Sequence, residues 1–279
     1  MLEEYVESYN GNAVEGKRLY NNVARPLSTL FSVYTVKYFK GEENIVQKGP
    51  SAVFGTHERG ALDVADLIKK YPRQLLFTAN KEFFDRETAL KTFESTIKRQ
   101  FGKLGNLANM LLKPLAYAFF SYISPRLVRV GSIPVDIRGG PNDEAKEAIK
   151  RYINQNRDGA FVFLQYRKKQ KHERGFYPLR ALKNYLNKDL VPPKKIIIRR
   201  GGLKLFVDLF DDGKGTDTPI TLVTMKTKFH IISPMLRTII NIAPPEYISR
   251  YHVKGNPDMT FQNCHQSLEK KLQEMWDNC

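Results

Sequence analysis

The sequence predicts an α/β fold: a single domain on a largely parallel mixed sheet flanked by helices, with a helical segment at the N-terminus. Three observations predict it. Short β-rich runs alternate with longer helix-like stretches, the pattern of a sheet with crossover helices. One such stretch, 142–155, places Ala145, Ala148, Ile149 and Tyr152 at helical spacing behind Asn142 and Asp143, which suit a helix start. Four of the β-rich runs end in polar or basic residues, as expected where an open sheet builds a site beyond its strand ends.

In chain order, the start MLEEYVESYNGN is acidic and lacks an apolar core, so it reads as neither a signal nor a transit peptide. Residues 1–45 are expected to form a helical cap or membrane-facing hairpin, and 46–279 the α/β domain. Strand character falls in SAVFGT (51–56), QLLFTAN (74–80), VRVGSIPVDI (128–137), GAFVFLQY (159–166), KIIIRR (195–200), LKLFVDLF (203–210) and ITLVTMK (220–226). Helical character falls in ALDVADLIKKY (61–71), RETALKTFESTIKRQF (86–101), NDEAKEAIKRYINQ (142–155) and YPLRALKNYL (177–186). The segment ANMLLKPLAYAFFSYIS (108–124) is the most apolar, yet it carries Lys113 and Pro114 and falls short of the roughly 20 apolar residues of a spanning helix. It and RPLSTLFSVYTVKYF (25–39) read either as core helices or as helices lying in a membrane interface.

Charge narrows the partner. The 279 residues carry 45 basic and 29 acidic side chains, a formal charge of +16. Between 165 and 204 there are 13 Lys or Arg against Glu173 and Asp189, so +11 lies in forty residues. Such a face calls for an anionic partner: a phosphorylated small molecule, an acidic membrane or a nucleic acid. Nucleic acid fits least, because the interleaved aromatics are only Tyr166, Phe176, Tyr177 and Tyr185 and no known binding motif appears. The two cysteines, Cys264 and Cys279, make no disulfide framework, so a reducing compartment is expected. His172, His230, His252 and His265 show no metal-ligand spacing, and no metal is expected.

The polar strand ends are the candidate site. His57 and Asp63 follow the first run, Lys81 and Glu82 the second, Asp136 and Arg138 the third, and Gln165, Arg167, Lys168 and Lys169 the fourth. A histidine with a carboxylate on its far nitrogen suits proton removal from an alcohol near neutral pH. The same two residues also fit a polar turn with a helix-capping aspartate.

The order and wording of these groups resemble the glycerophospholipid acyltransferase family, which acylates glycerol 3-phosphate or lysophosphatidate. That family carries a strand ending in Asn-His, four residues and Asp, then a Lys-bearing segment, a Gly-containing strand ending in Arg, and a Phe-Pro-Glu-Gly-Thr-Arg loop. The counterparts here are THERGALD, TANKEFF, GSIPVDIR and FLQYRKK, with LVPPKKIIIRRGGLKLFV and DTPITLVTM resembling later segments, so the resemblance spans about residues 50 to 230. This chain departs by spacing His57 and Asp63 with five residues, by Gln165 in place of the loop's Glu, by one residue fewer before Arg167, and by one extra residue in GSIPVDIR.

The resemblance implies a membrane-associated O-acyltransferase at the cytoplasmic face. It would move an acyl group from acyl-CoA or acyl carrier protein to lysophosphatidate or a related glycerophosphate, with no cofactor beyond the donor. It further implies His57 as general base, Asp63 as its orienting acid, and Arg138, Gln165, Arg167, Lys168 and Lys81 as substrate-binding residues. Expected partners are a phospholipid or lysophospholipid, acyl-CoA and a membrane surface, with no nucleic acid. A phospholipid-binding protein of the same fold that has lost catalysis is the alternative.

Overall fold

In this computed structural model, which describes residues 13–31, 35–57, 61–136, 143–155, 158–166, 196–211, 217–230 and 233–279, helices and strands alternate through most of the chain. The described elements are α1 (Ala13–Leu19), α2 (Arg25–Phe31), β1 (Thr35–Lys40), β2 (Pro50–His57), α3 (Ala61–Lys70), β3 (Leu75–Asn80), α4 (Arg86–Phe101), α5 (Gly105–Leu127) and β4 (Ile133–Val135). They continue through α6 (Asp143–Asn154), β5 (Gly159–Tyr166), α7 (Arg200–Asp211), β6 (Ile220–His230), β7 (Ser233–Ile242) and α8 (Pro257–Asp277). The strands form a seven-stranded sheet in the order β1-β7-β6-β2-β5-β3-β4. It is mostly parallel, with the β6–β7 pair antiparallel, and this is the α/β class the sequence predicts.

The chain divides into two compact units, one of Arg25–Leu76, Lys146–Arg167 and Pro192–Cys279, the other of Met1–Ala24, Phe77–Ala145 and Lys168–Val191. In the first, β2 is buried from Pro50 to Thr56, because strands or helices cover it on every side. That is why SAVFGT reads as a continuous apolar run rather than an alternating one. β5 pairs with β2 along its whole length, from Pro50 opposite Gly159 to His57 opposite Tyr166. β7 turns back on β6, and β1 adds in parallel on the outer side of β7. α7 packs over β2 and β5 through a ring cluster: Phe54 stacks on Phe163 at 4.9 Å, and Phe206 meets both edge-on. The close approach needs Gly202, where an added Cβ would come within 2.8 Å of the Phe163 ring.

The second unit holds the helix pair α4 and α5, packed through Ala89, Ala116 and Phe120 with Leu90, Phe93 and Phe119 around them. Asp85 starts α4 by accepting the Thr88 N–H at 2.8 Å, satisfying one of its unpaired first-turn donors. The last residues of β3 pair in parallel with β4, from Thr78 opposite Ile133 to Asn80 opposite Val135.

Several predicted elements take a different form. LKLFVDLF is helix α7, not a strand; Leu203, Leu205, Phe206, Val207 and Leu209 are all buried, and a short apolar run has the same appearance in either state. Of KIIIRR, residues 196–199 belong to no strand or helix and Arg200 opens α7; Ile196 and Ile198 are buried and Ile197 is exposed. Side chains of α8 satisfy the segment's backbone instead: Ile196 N–H donates to Gln273 at 2.8 Å, Ile198 N–H to Glu269 at 3.0 Å, and His265 Nε2 lies 2.7 Å from Ile198 O. Strand β1 occupies the end of a stretch expected to be helical, and among the described residues of VRVGSIPVDI only Ile133–Val135 is strand. The predicted helix at 177–186 lies outside the described residues.

Candidate active site

The site begins where β2 parts from β6. Their backbone ladder runs from Ala52 opposite Ile220 to Gly55 opposite Val223 and stops. One residue on, Thr56 takes over with its side chain: its hydroxyl accepts the Met225 N–H at 2.8 Å and reaches back to Met225 O at 3.5 Å. The β2–β5 ladder meanwhile continues to His57. The last residue of β2 is thus held on one side by backbone, and on the other its neighbour's hydroxyl ties the strand to β6. Alternation along the strand turns His57 to the opposite face from Phe54 and the ring cluster.

Asp63 comes from the first turn of α3, where the positive end of the helix dipole favours a carboxylate. Its side chain is 0% exposed and that of His57 13%, and His57 Nδ1 lies 3.5 Å from Asp63 Oδ2. The two residues singled out in the sequence therefore face each other despite the five-residue spacing. The contact is about 0.3 Å beyond the roughly 3.2 Å limit of a working general-base hydrogen bond, and such bonds commonly tighten only with substrate bound. With the acid facing Nδ1, a proton held there leaves Nε2 as the basic nitrogen.

One helical turn further, α3 buries a second carboxylate. Asp66 is 3.1 Å from Lys37 Nζ of β1, and both side chains are buried. A buried charge needs a partner, so α3 brings two acids inside and each meets a different base. A second His–acid contact shows that distance alone does not define a site: His252 Nδ1 lies 3.4 Å from Asp211 Oδ1, but both side chains are more exposed and neither follows the end of a sheet strand. Burial and position at the end of β2 distinguish His57 and Asp63.

Other predicted groups are placed in part. Gln165 lies on the backbone of β5 directly opposite Thr56, one residue before the His57–Tyr166 pair. In the other unit, Lys81 and Asp136 follow the parallel strands β3 and β4 and form an ion pair at 2.7 Å, so two of the predicted strand-end groups meet there. Glu82, beside them in sequence, accepts from Asn80 at 3.0 Å and from the Thr92 hydroxyl at 2.9 Å, bonds that tie the turn to α4. Arg138, Arg167, Lys168 and Lys169 lie outside the described residues, as does the whole basic stretch from 170 to 195.

Sequence reasoning missed Thr56 and the Lys37–Asp66 pair. For Asp66 a signal existed: it stands three residues after Asp63, on the same helical face as Asp63 and Leu67. Nothing in the sequence pointed to Lys37, which comes from a strand that was expected to be helix.

No protein-family model and no curated protein sequence matches the chain. Among solved structures, it is similar to the crystal structure of the 1-acyl-sn-glycerophosphate (LPA) acyltransferase, PlsC, from Thermotoga maritima, with 13% identity and a TM-score of 0.45, over 99% of this chain and 79% of that one. A likeness at that level leaves the chemistry to be argued from the residues.

Proposed function

We propose that this chain is an O-acyltransferase whose acceptor is the hydroxyl of lysophosphatidate or a related glycerophosphate and whose donor is an acyl thioester, acyl-CoA or acyl carrier protein. The observation that carries the reading is the buried Asp63 carboxylate facing the Nδ1 side of His57 at 3.5 Å, at the end of a parallel strand. Nε2 takes the acceptor's proton as its oxygen attacks the thioester carbonyl. The C–S bond then breaks, and the imidazolium returns the proton to the departing thiolate, so protons and charges balance. Asp63 fixes the tautomer and steadies the imidazolium, which is triad logic with the substrate's oxygen in place of a serine.

The acceptor's phosphate calls for cationic donors. Arg138, Arg167 and Lys168 fill that role by the sequence resemblance, Arg167 with a planar fork suited to bidentate contact and Gln165, two residues earlier in the sequence, as a neutral donor. Lys81 would act with its charge partly answered by Asp136. Work at the cytoplasmic face of a membrane follows from such a substrate. A second reading, a phospholipid-binding protein without catalysis, draws on two features: a His–Asp contact longer than a hydrogen bond, and Gln165, near the end of β5, where the family has Glu. Measuring free thiol released from acyl-CoA with and without lysophosphatidate separates the two. Acceptor-dependent release supports the transferase, and binding of lysophosphatidate with no release at any protein concentration supports the binder.

A further inference from the structure

Helix α5 is apolar on two faces but covered on one. Its inner face, with Ala116 and Phe120, packs on α4. On the outer side, Leu107, Leu111, Leu115, Ala118 and Tyr122 are all exposed, Leu111 at 68% and Leu115 at 70%. At about 100° per residue these five fall within an arc of roughly 80°. They form one stripe along the helix, extended at its start by Met110 and by Leu104 just before it. Soluble proteins rarely leave a continuous apolar strip of this kind facing water.

Charge identifies the occupant. From 98 to 129 the sequence holds six basic residues and no acid; Lys113 turns away from the stripe to pair with Glu94 of α4 at 2.9 Å, and with that acid counted the excess is still five positive charges, Lys98 and Arg126 among them. A second copy of the chain packed on this stripe would bring two such clusters together, whereas an anionic lipid surface complements them. The aromatic edges also fit a bilayer interface: the Arg126 guanidinium lies 3.9 Å from the Tyr122 ring centroid and that of Arg86 5.0 Å from Tyr117, pairing amphipathic rings with cations. No helix among the described residues is long and apolar enough to cross a membrane, so the geometry is that of a helix lying in the interface plane.

We propose that the outer stripe of α5 is a docking surface for anionic membranes, with Leu111 and Leu115 entering the acyl boundary and the flanking cations meeting headgroups. The inference deepens the lipid reading of function but stands on α5 alone, so the two can fail separately. The test uses the full chain with vesicles of pure phosphatidylcholine and with equimolar phosphatidylcholine and phosphatidylglycerol. Wild type should sediment with the anionic vesicles and lose most of that binding in high salt. Because both side chains already face water, the Leu111→Glu/Leu115→Glu variant should fold with an unchanged thermal midpoint. It should lose anionic-vesicle binding on the order of 100-fold while keeping its thiol-release rate, if any, on an acceptor presented as monomer. Equal vesicle binding by variant and wild type, no binding by wild type, or a wild-type dimer that the variant turns into a monomer would each overturn the proposal. Vesicle binding without thiol release would leave the docking surface standing and remove the transferase.

Discussion

Replacing Asp63 by asparagine keeps the side chain's shape and removes its charge from a fully buried position. The consequence can be worked from the contact with His57. Two unit charges 3.5 Å apart attract by about 5 kcal/mol at an effective dielectric near 20. That attraction exists only when the imidazole carries the substrate's proton, so it acts in the transition state and scarcely on the resting enzyme. Losing most of it lowers kcat by on the order of 1,000-fold with little change in KM for either substrate. Asparagine can also donate to Nδ1, which would leave the proton on Nε2 and block the base outright. The assay is acceptor-dependent thiol release by the purified variant, with far-UV circular dichroism confirming that it folds. A folded Asp63→Asn protein turning over within about threefold of wild type would refute the reasoning, since a mere helix-capping role for Asp63 predicts that result.

Two further outcomes follow from charges buried elsewhere. Lys37→Met strands the Asp66 carboxylate without its cation, and urea unfolding should show a loss of about 3–5 kcal/mol; a loss below about 1 kcal/mol would mean that water or another group answers Asp66. Burial pushes the Glu246 carboxyl up, but hydrogen bonds from Lys271 and Arg250 outweigh it and hold the group below the usual glutamate range. A carboxyl depressed in the folded state adds stability above its unfolded value, about 4.3, and loses that contribution as pH falls through the folded value. Glu246→Gln should therefore cost more stability at neutral pH than in acid, with the cost falling steadily as pH drops below about 4.3, measured as the shift in urea midpoint along a pH series; a cost that does not change with pH would contradict the assignment.

The parts of the fold legible in the sequence are those in which local pattern and tertiary environment agree. RETALKTFESTIKRQF is helix over its full length because its apolar residues recur with the helical period and Asp85 stands ready to cap it. GAFVFLQY is strand β5 over its full length because half of its residues are β-branched or aromatic in a run too short for a helix. Legibility ends where partners lie far away along the chain. Nothing local in KIIIRR says that Gln273 and Glu269 will satisfy its backbone, and nothing in LKLFVDLF separates a helix buried on most sides from a core strand. The candidate site divides in the same way. His57 and Asp63 were readable because one loop joins a strand end to a helix start; Lys37 and Met225, which hold α3 and the end of β2, come from distant strands and left no mark in that loop.

The most direct test of the central claim is the rate of lysophosphatidate-dependent thiol release from acyl-CoA by wild type beside His57→Ala, both checked for folding. A base at the end of β2 predicts clear turnover by wild type and a fall of at least about 1,000-fold in the variant. Equal rates in the two proteins would contradict it and take the chemistry away from His57.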